Sequence, residues 1–208
     1  PMYLIDETYF TNKLEIQGIF DSNNGIAEKL NDYIDIYVSE FLQKLLGVKD
    51  FNELKTHIEG ALNSDAPEKW AKLIHGTTYT YNGVERIYDG LIKQKGSVKT
   101  SILANYVYCK LMADLETLNG KAVVDPKSST KMLPRNHFVT VFNEIASEFI
   151  CTNMYPSVRF IGSVKFIDYL KKDSASDYVT LSEFIIENEI DYPNANVSFI
   201  ETINQFDL

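Results

Sequence analysis

One apolar stripe limits this chain more than any other feature. Ile26, Leu30, Tyr33, Ile34, Tyr37, Val38, Phe41, Leu42, Leu45 and Leu46 recur at steps of three and four. Side chains at those steps lie on one face, so the spacing predicts a long amphipathic helix with a wide buried side. A stripe of that width needs partners, and the chain supplies two more. Val98, Ile102, Leu103, Tyr106, Val107, Leu111, Leu115 and Leu118 share the period, with a start near Leu91 or afresh at Ser97. Phe138, Val141, Phe142, Ile145, Ala146, Phe149 and Ile150 form a third stripe after Pro134. Together they predict a mainly α fold with a helical bundle core.

Punctuation subdivides this core. Asp21-Ser22-Asn23-Asn24-Gly25 is a turn cluster that sets off an N-terminal arm, residues 1–25. Gly47 stands where a left-handed residue ends a helix. Asp50, with Glu53 three residues on, suggests a capping box opening a short helix that buries Phe51, Leu54, Ile58 and Leu62. Asp65 and Pro67 suit the start of another, with Trp70, Leu73 and Ile74 inward and Gly76 at its end.

At Thr77 the period changes from 3.6 to 2. Thr77-Thr78-Tyr79-Thr80-Tyr81 and Val84-Glu85-Arg86-Ile87-Tyr88 flank Asn82-Gly83. Asn-Gly favours a type I′ turn because both central residues take positive φ, so residues 77–88 read as an inserted β-hairpin. Tyr81 then faces Val84, Tyr79 faces Arg86 and Thr77 faces Tyr88, which gathers the aromatic rings on one face. An isolated hairpin is marginal in water, so this face has to lie on the chain's own helices or on another molecule. Tyr combines a large rigid surface with a hydroxyl, which suits interfaces. Tyr79, Tyr81, Asn82, Gly83, Val84, Arg86 and Tyr88 are the expected contact residues.

The helical core is expected over 26–155 and an acidic, mixed α/β extension over 156–208. Past Tyr155-Pro156 the pattern weakens, with a strand expected at Val158–Ile161 and a short helix at Val164–Leu170. Thr180-Leu181-Ser182-Glu183 has capping-box spacing, and residues 196–206 read as a strand. After Lys172 no Lys or Arg occurs, while eight acids do. Phe184, Ile185, Ile190, Phe199 and Phe206 in the same stretch favour a docked segment over a free one.

Chemistry-bearing motifs are sparse. The chain lacks the glycine-rich phosphate loops, the G-x-S-x-G elbow and the H-E-x-x-H zinc helix. His57, His75 and His137 are isolated, and Cys109 and Cys151 are two thiols at no metal spacing. Close carboxylates such as Asp32 with Asp35, and Glu187 with Glu189, read as solvated faces. No cofactor or metal is expected. The net charge of −9, from 29 acids and 20 bases, is the wrong sign for tight binding to a phosphate backbone. No run approaches the ~20 apolar residues of a membrane span, and Pro1-Met2-Tyr3-Leu4-Ile5-Asp6 lacks the pattern of a signal peptide.

Three stretches resemble the head–tail connector proteins of tailed bacteriophages, the adaptor or ring proteins of Bacteroidetes and crAss-like phages. They are Tyr37-Val38-Ser39-Glu40-Phe41-Leu42-Gln43-Lys44-Leu45-Leu46-Gly47, Trp70 to Gly83 leading into Tyr88-Asp89-Gly90-Leu91, and Ile102 to Tyr108 followed by Leu118 to Val124. The resemblance covers about residues 30–150. The chain departs from it at Lys93–Lys99, which reads as a polar insertion before the long helix. The resemblance implies a structural virion protein without enzymatic activity, built as a ring of about twelve copies beneath the portal. Such a ring extends the DNA channel, lets DNA pass without specific binding and docks tail or further ring proteins. It implies a place at the head–tail junction, with assembly in the host cytoplasm. Deleting residues 79–86 is then expected to leave a folded monomer that no longer assembles. Two other classes fit the residues. One is a helical-bundle enzyme or small-ligand binder, should His57, His75, Cys109 or Cys151 converge beside carboxylates. The other is an acidic regulator that mimics DNA.

Overall fold

The computed structural model describes residues 4–11, 14–16, 26–95, 98–119 and 179–197. Helix α1 runs Ile26–Lys55, α2 Glu68–His75, α3 Ile102–Asn119 and α4 Leu181–Glu187. Six strands pair as three antiparallel hairpins: β1 Ile58–Glu59 with β2 Ala61–Leu62, β3 Thr77–Tyr81 with β4 Val84–Tyr88, and β5 Ile92–Lys95 with β6 Val98–Ser101. About half of the described residues are helical. The expectation of a mainly α bundle is therefore corrected to a mixed α/β fold. The third expected stripe, 138–150, and the elements expected over 158–170 lie outside the described residues.

The stripe on α1 behaves as its period requires: Leu30, Ile34, Val38, Phe41, Leu42, Leu45 and Leu46 are all fully buried. Gly47, at φ 73°, breaks the helical path, so α1 is two helices joined at a kink. Helix α3 packs on α1 through Tyr106, whose ring meets Phe41 edge-on at 5.2 Å and Tyr37 at 6.5 Å. The Tyr106 hydroxyl donates to Glu40 Oε1 at 3.0 Å. Burial, then the charge and hydrogen bond of Glu40, hold that phenol well above its usual range.

Several local expectations are corrected. The helix opened by Asp50 ends at Lys55; Ile58 and Leu62 pair across the small β1–β2 hairpin instead. The Asp50 carboxylate, 3% exposed, accepts from the Asn194 side chain at 3.0 Å and from its N–H at 3.4 Å. Pro67, not Asp65, is the N-cap of α2, and it offers no side-chain cap. The polar stretch at 93–99, ahead of the long helix, belongs to a hairpin and not to the helix's first turns. Ile92 pairs with Ser101, Lys93 with Thr100, Gln94 with Lys99 and Lys95 with Val98, so α3 starts only at Ile102. Lysines at alternate positions concealed the period of two.

The N-terminal residues join the core. Leu4, Ile5, Tyr9, Phe10, Leu14 and Ile16 are buried. A 3₁₀ helix, Glu7–Tyr9, is capped by Asp6, which accepts from the Thr8 N–H at 2.9 Å and pairs with Lys99 Nζ at 3.6 Å.

Candidate interaction surface on the Asn82–Gly83 hairpin

The β3–β4 hairpin has the register its turn dictates: Tyr81 opposite Val84, Tyr79 opposite Arg86 and Thr77 opposite Tyr88. Asn82 and Gly83 take φ of 51° and 79°, as a type I′ turn requires. Its root is pinched between two glycines at positive φ, Gly76 and Gly90. A Cβ on Gly76 would sit 2.3 Å from the Tyr88 carbonyl oxygen, and one on Gly90 would sit 2.5 Å from the Gly76 nitrogen. Only the absence of side chains lets the two backbones approach so closely.

The seven expected contact residues divide into two groups. Tyr79, Arg86 and Tyr88 form a base turned toward α4. The Phe184 ring stacks on Tyr88 with centroids 4.1 Å apart and meets Tyr79 edge-on at 5.6 Å. Glu187 Oε2 accepts from the Tyr79 hydroxyl at 2.6 Å, and its Oε1 pairs with Arg86 Nη2 at 3.1 Å. The Tyr88 hydroxyl donates to the Leu73 carbonyl at 3.1 Å. Tyr81, Asn82, Gly83 and Val84 form the tip. Asn82 and Gly83 are exposed, Tyr81 is half-buried, and Val84 is 40% exposed.

Phe184, Glu187, Trp70 and Tyr192 complete the base, and none of them is among the contact residues expected from the sequence. Tyr192 tilts against Phe184 at 5.8 Å and Trp70 at 6.0 Å, and its hydroxyl donates to the Lys69 carbonyl at 2.6 Å. The available signal was the capping box at Thr180, which is present: Thr180 Oγ1 accepts from the Glu183 N–H, and Glu183 accepts from the Thr180 N–H. It marked a helix in the acidic segment without indicating where that helix packs.

Electrostatics reinforce the base. Burial first, then the hydrogen bond to and charge of Glu187, push the Tyr79 phenol far above its ordinary value. Tyr79 therefore stays a donor at neutral pH, and Glu187 is shared between that donor and a guanidinium. A carboxylate bonded on both oxygens is a clamp, suited to fixing α4 against the strands.

The other candidate groups are dispersed. His75 is exposed at the end of α2 and His57 is half-buried beyond α1. Cys109 is buried on α3, and its thiol is pushed up to about 12 by burial. Such a thiol is inert packing matter at neutral pH. His137 and Cys151 lie outside the described residues. Glu189 is exposed while Glu187 turns to the hairpin, so these two do not act as a pair. Among the described residues no cluster of three His, Cys, Asp or Glu side chains is placed to hold a metal ion. No described helix is long and apolar enough to cross a membrane.

No family model, curated protein or solved structure matches this chain.

Proposed function

We propose that this protein works by assembly, as a head-to-tail ring component of a phage connector that lies beneath the portal and continues the DNA channel. One observation carries the reading: the β3–β4 hairpin is clamped at its base and free at its tip. Phe184 and Glu187 immobilise Tyr79, Arg86 and Tyr88, so little conformational entropy remains to be lost when the tip docks. The tip presents Val84 and part of Tyr81 on a turn of fixed geometry. The likeness of residues 30–150 to connector proteins adds the kind of assembly. A contact between a projecting tip and a different surface on the next copy is heterologous, and it closes into a ring when its rotation closes. The acidic balance suits a channel wall past which DNA slides, since each exposed cation would add a phosphate contact. The portal and tail proteins are the partners this reading assigns. The test is native mass spectrometry of the purified chain beside a Val84→Asp variant, with closed oligomers expected for the first and single subunits for the second.

A further inference from the structure

The two outer edges of the β3–β4 hairpin are not equivalent. Across a two-residue turn, Tyr81 and Val84 exchange both backbone hydrogen bonds, and pairing alternates from there. Thr77, Tyr79 and Tyr81 therefore bond inward, while the N–H and C=O of Thr78 and Thr80 point away from β4. On β4 the outward residues are Glu85 and Ile87, and that edge is occupied: the Val179 N–H donates to the Ile87 carbonyl at 2.9 Å. Among the described residues no backbone group from another segment reaches Thr78 or Thr80; the Thr78 carbonyl accepts only from the neighbouring Thr77 hydroxyl, at 3.3 Å. Both threonines are exposed.

Edge strands usually carry lysine, proline or a bulge, which keeps other chains from pairing with them. The β5–β6 hairpin follows that rule with Lys93, Lys95 and Lys99. Strand β3, Thr-Thr-Tyr-Thr-Tyr, has no charge and no proline, and its register shows no bulge. An edge so unguarded is a template for an added strand.

An occupant of suitable chemistry is present in the same chain. Residues 198–208, Ser-Phe-Ile-Glu-Thr-Ile-Asn-Gln-Phe-Asp-Leu, are rich in β-branched and aromatic types and contain no Lys, Arg or Pro. The described path leading to them passes from the hairpin to α1. Val179 is on the β4 edge, Phe184 on the hairpin face and Tyr192 against α2, and the Asn196 N–H donates to the Leu45 carbonyl of α1 at 2.7 Å. Fully extended, 198–208 spans on the order of 35 Å, enough to enter an adjoining subunit.

We propose that residues 198–208 of one copy add as a strand to the β3 edge of a second copy, through backbone hydrogen bonds to Thr78 and Thr80. The inference rests on the assembly reading above and adds to the tip contact a second pair of complementary surfaces, a donor strand and an acceptor edge.

A fluorescein-labelled peptide of residues 197–208 is titrated with the full chain and followed by anisotropy. Thr80→Pro removes an outward N–H but no inward one, and weakens binding by about tenfold or more, whereas Thr80→Ala keeps the N–H and stays within about twofold. Hydrogen exchange over residues 76–83 slows when the peptide is added to the unmodified chain, which reports the same bonds without a variant. Equal loss in both variants, or unchanged exchange, overturns the proposal. A benzoylphenylalanine at position 80, irradiated in a refolded mixture of ¹⁴N and ¹⁵N chains, then identifies the donor. Mixed-isotope links to 198–208 are expected, and links confined to one isotope mean the strand adds to its own copy and sink the exchange. Native mass spectra of that mixture separate the failures. Closed oligomers with no link to 198–208 defeat this inference alone, mixed-isotope links in open pairs without closed oligomers defeat the ring reading alone, and single subunits at every concentration defeat both.

Discussion

Phe184 lies flat on Tyr88, with ring centroids 4.1 Å apart and planes 10° from parallel. The two residues are nearly a hundred positions apart, and their contact fastens the acidic segment to the hairpin. Phe184 is 1% exposed and also meets Tyr79 and Tyr192. Replacing it with Ala removes that whole set of contacts and leaves a cavity, so Phe184→Ala should lower unfolding stability by about 3–5 kcal/mol. Urea unfolding followed by tyrosine fluorescence checks the value.

The Tyr79–Glu187–Arg86 clamp predicts coupling between its members. Tyr79→Phe removes a donor from a nearly buried carboxylate and should cost about 1–2 kcal/mol. In Glu187→Gln the same change should cost less, because the charge that strengthens the bond is gone. A double-mutant cycle by chemical denaturation measures the difference.

Alkaline pH should weaken the fold. Burial raises the Tyr108 phenol from 10.0 to about 12 and the Cys109 thiol from 9.0 to about 12, and Tyr79, Tyr106 and Tyr192 also move upward. Above pH 9–10 the unfolded chain gives up protons that the folded chain retains, so the unfolded state binds fewer. Stability from these groups is fully present below that range and is lost as pH rises toward 12. Urea midpoints taken from pH 8 upward should therefore fall progressively above about pH 9.

The hairpin was legible because its information is local: Asn82-Gly83 sets the turn, and the turn sets the register. The break at Gly47, the burial of Trp70, Leu73 and Ile74, and the cap at Thr180 were legible for the same reason. What the sequence concealed was mostly long-range. Asp50 has the spacing of a helix cap, yet its oxygens bind Asn194. The aromatic face read as an outward contact surface, yet Tyr79 and Tyr88 meet Phe184, a partner no period reveals. The β5–β6 hairpin was missed locally, since Lys93, Lys95 and Lys99 give strands with little apolar alternation, and with it went the expectation of a mainly α fold.

The division between base and tip predicts variants that separate folding from assembly. Gly76→Ala forces a side chain onto the Tyr88 carbonyl at φ 85° and should cost about 3 kcal/mol or more, loosening the hairpin root. Tyr81→Ala and Val84→Asp alter exposed or half-exposed tip positions and should change stability by only about 0.5 kcal/mol. Thermal melts of the three variants distinguish the two classes. Deleting residues 79–86 confuses them, because it removes Tyr79 and Arg86 from the clamp as well as the tip.

Native mass spectrometry of the full chain at rising concentration, with Val84→Asp run alongside, shows whether the hairpin tip holds copies of the chain together. The unmodified chain should give a closed oligomer of one fixed copy number, and the variant a folded single subunit. A single subunit at every concentration, or an oligomer indifferent to Val84→Asp, would contradict assembly through the tip.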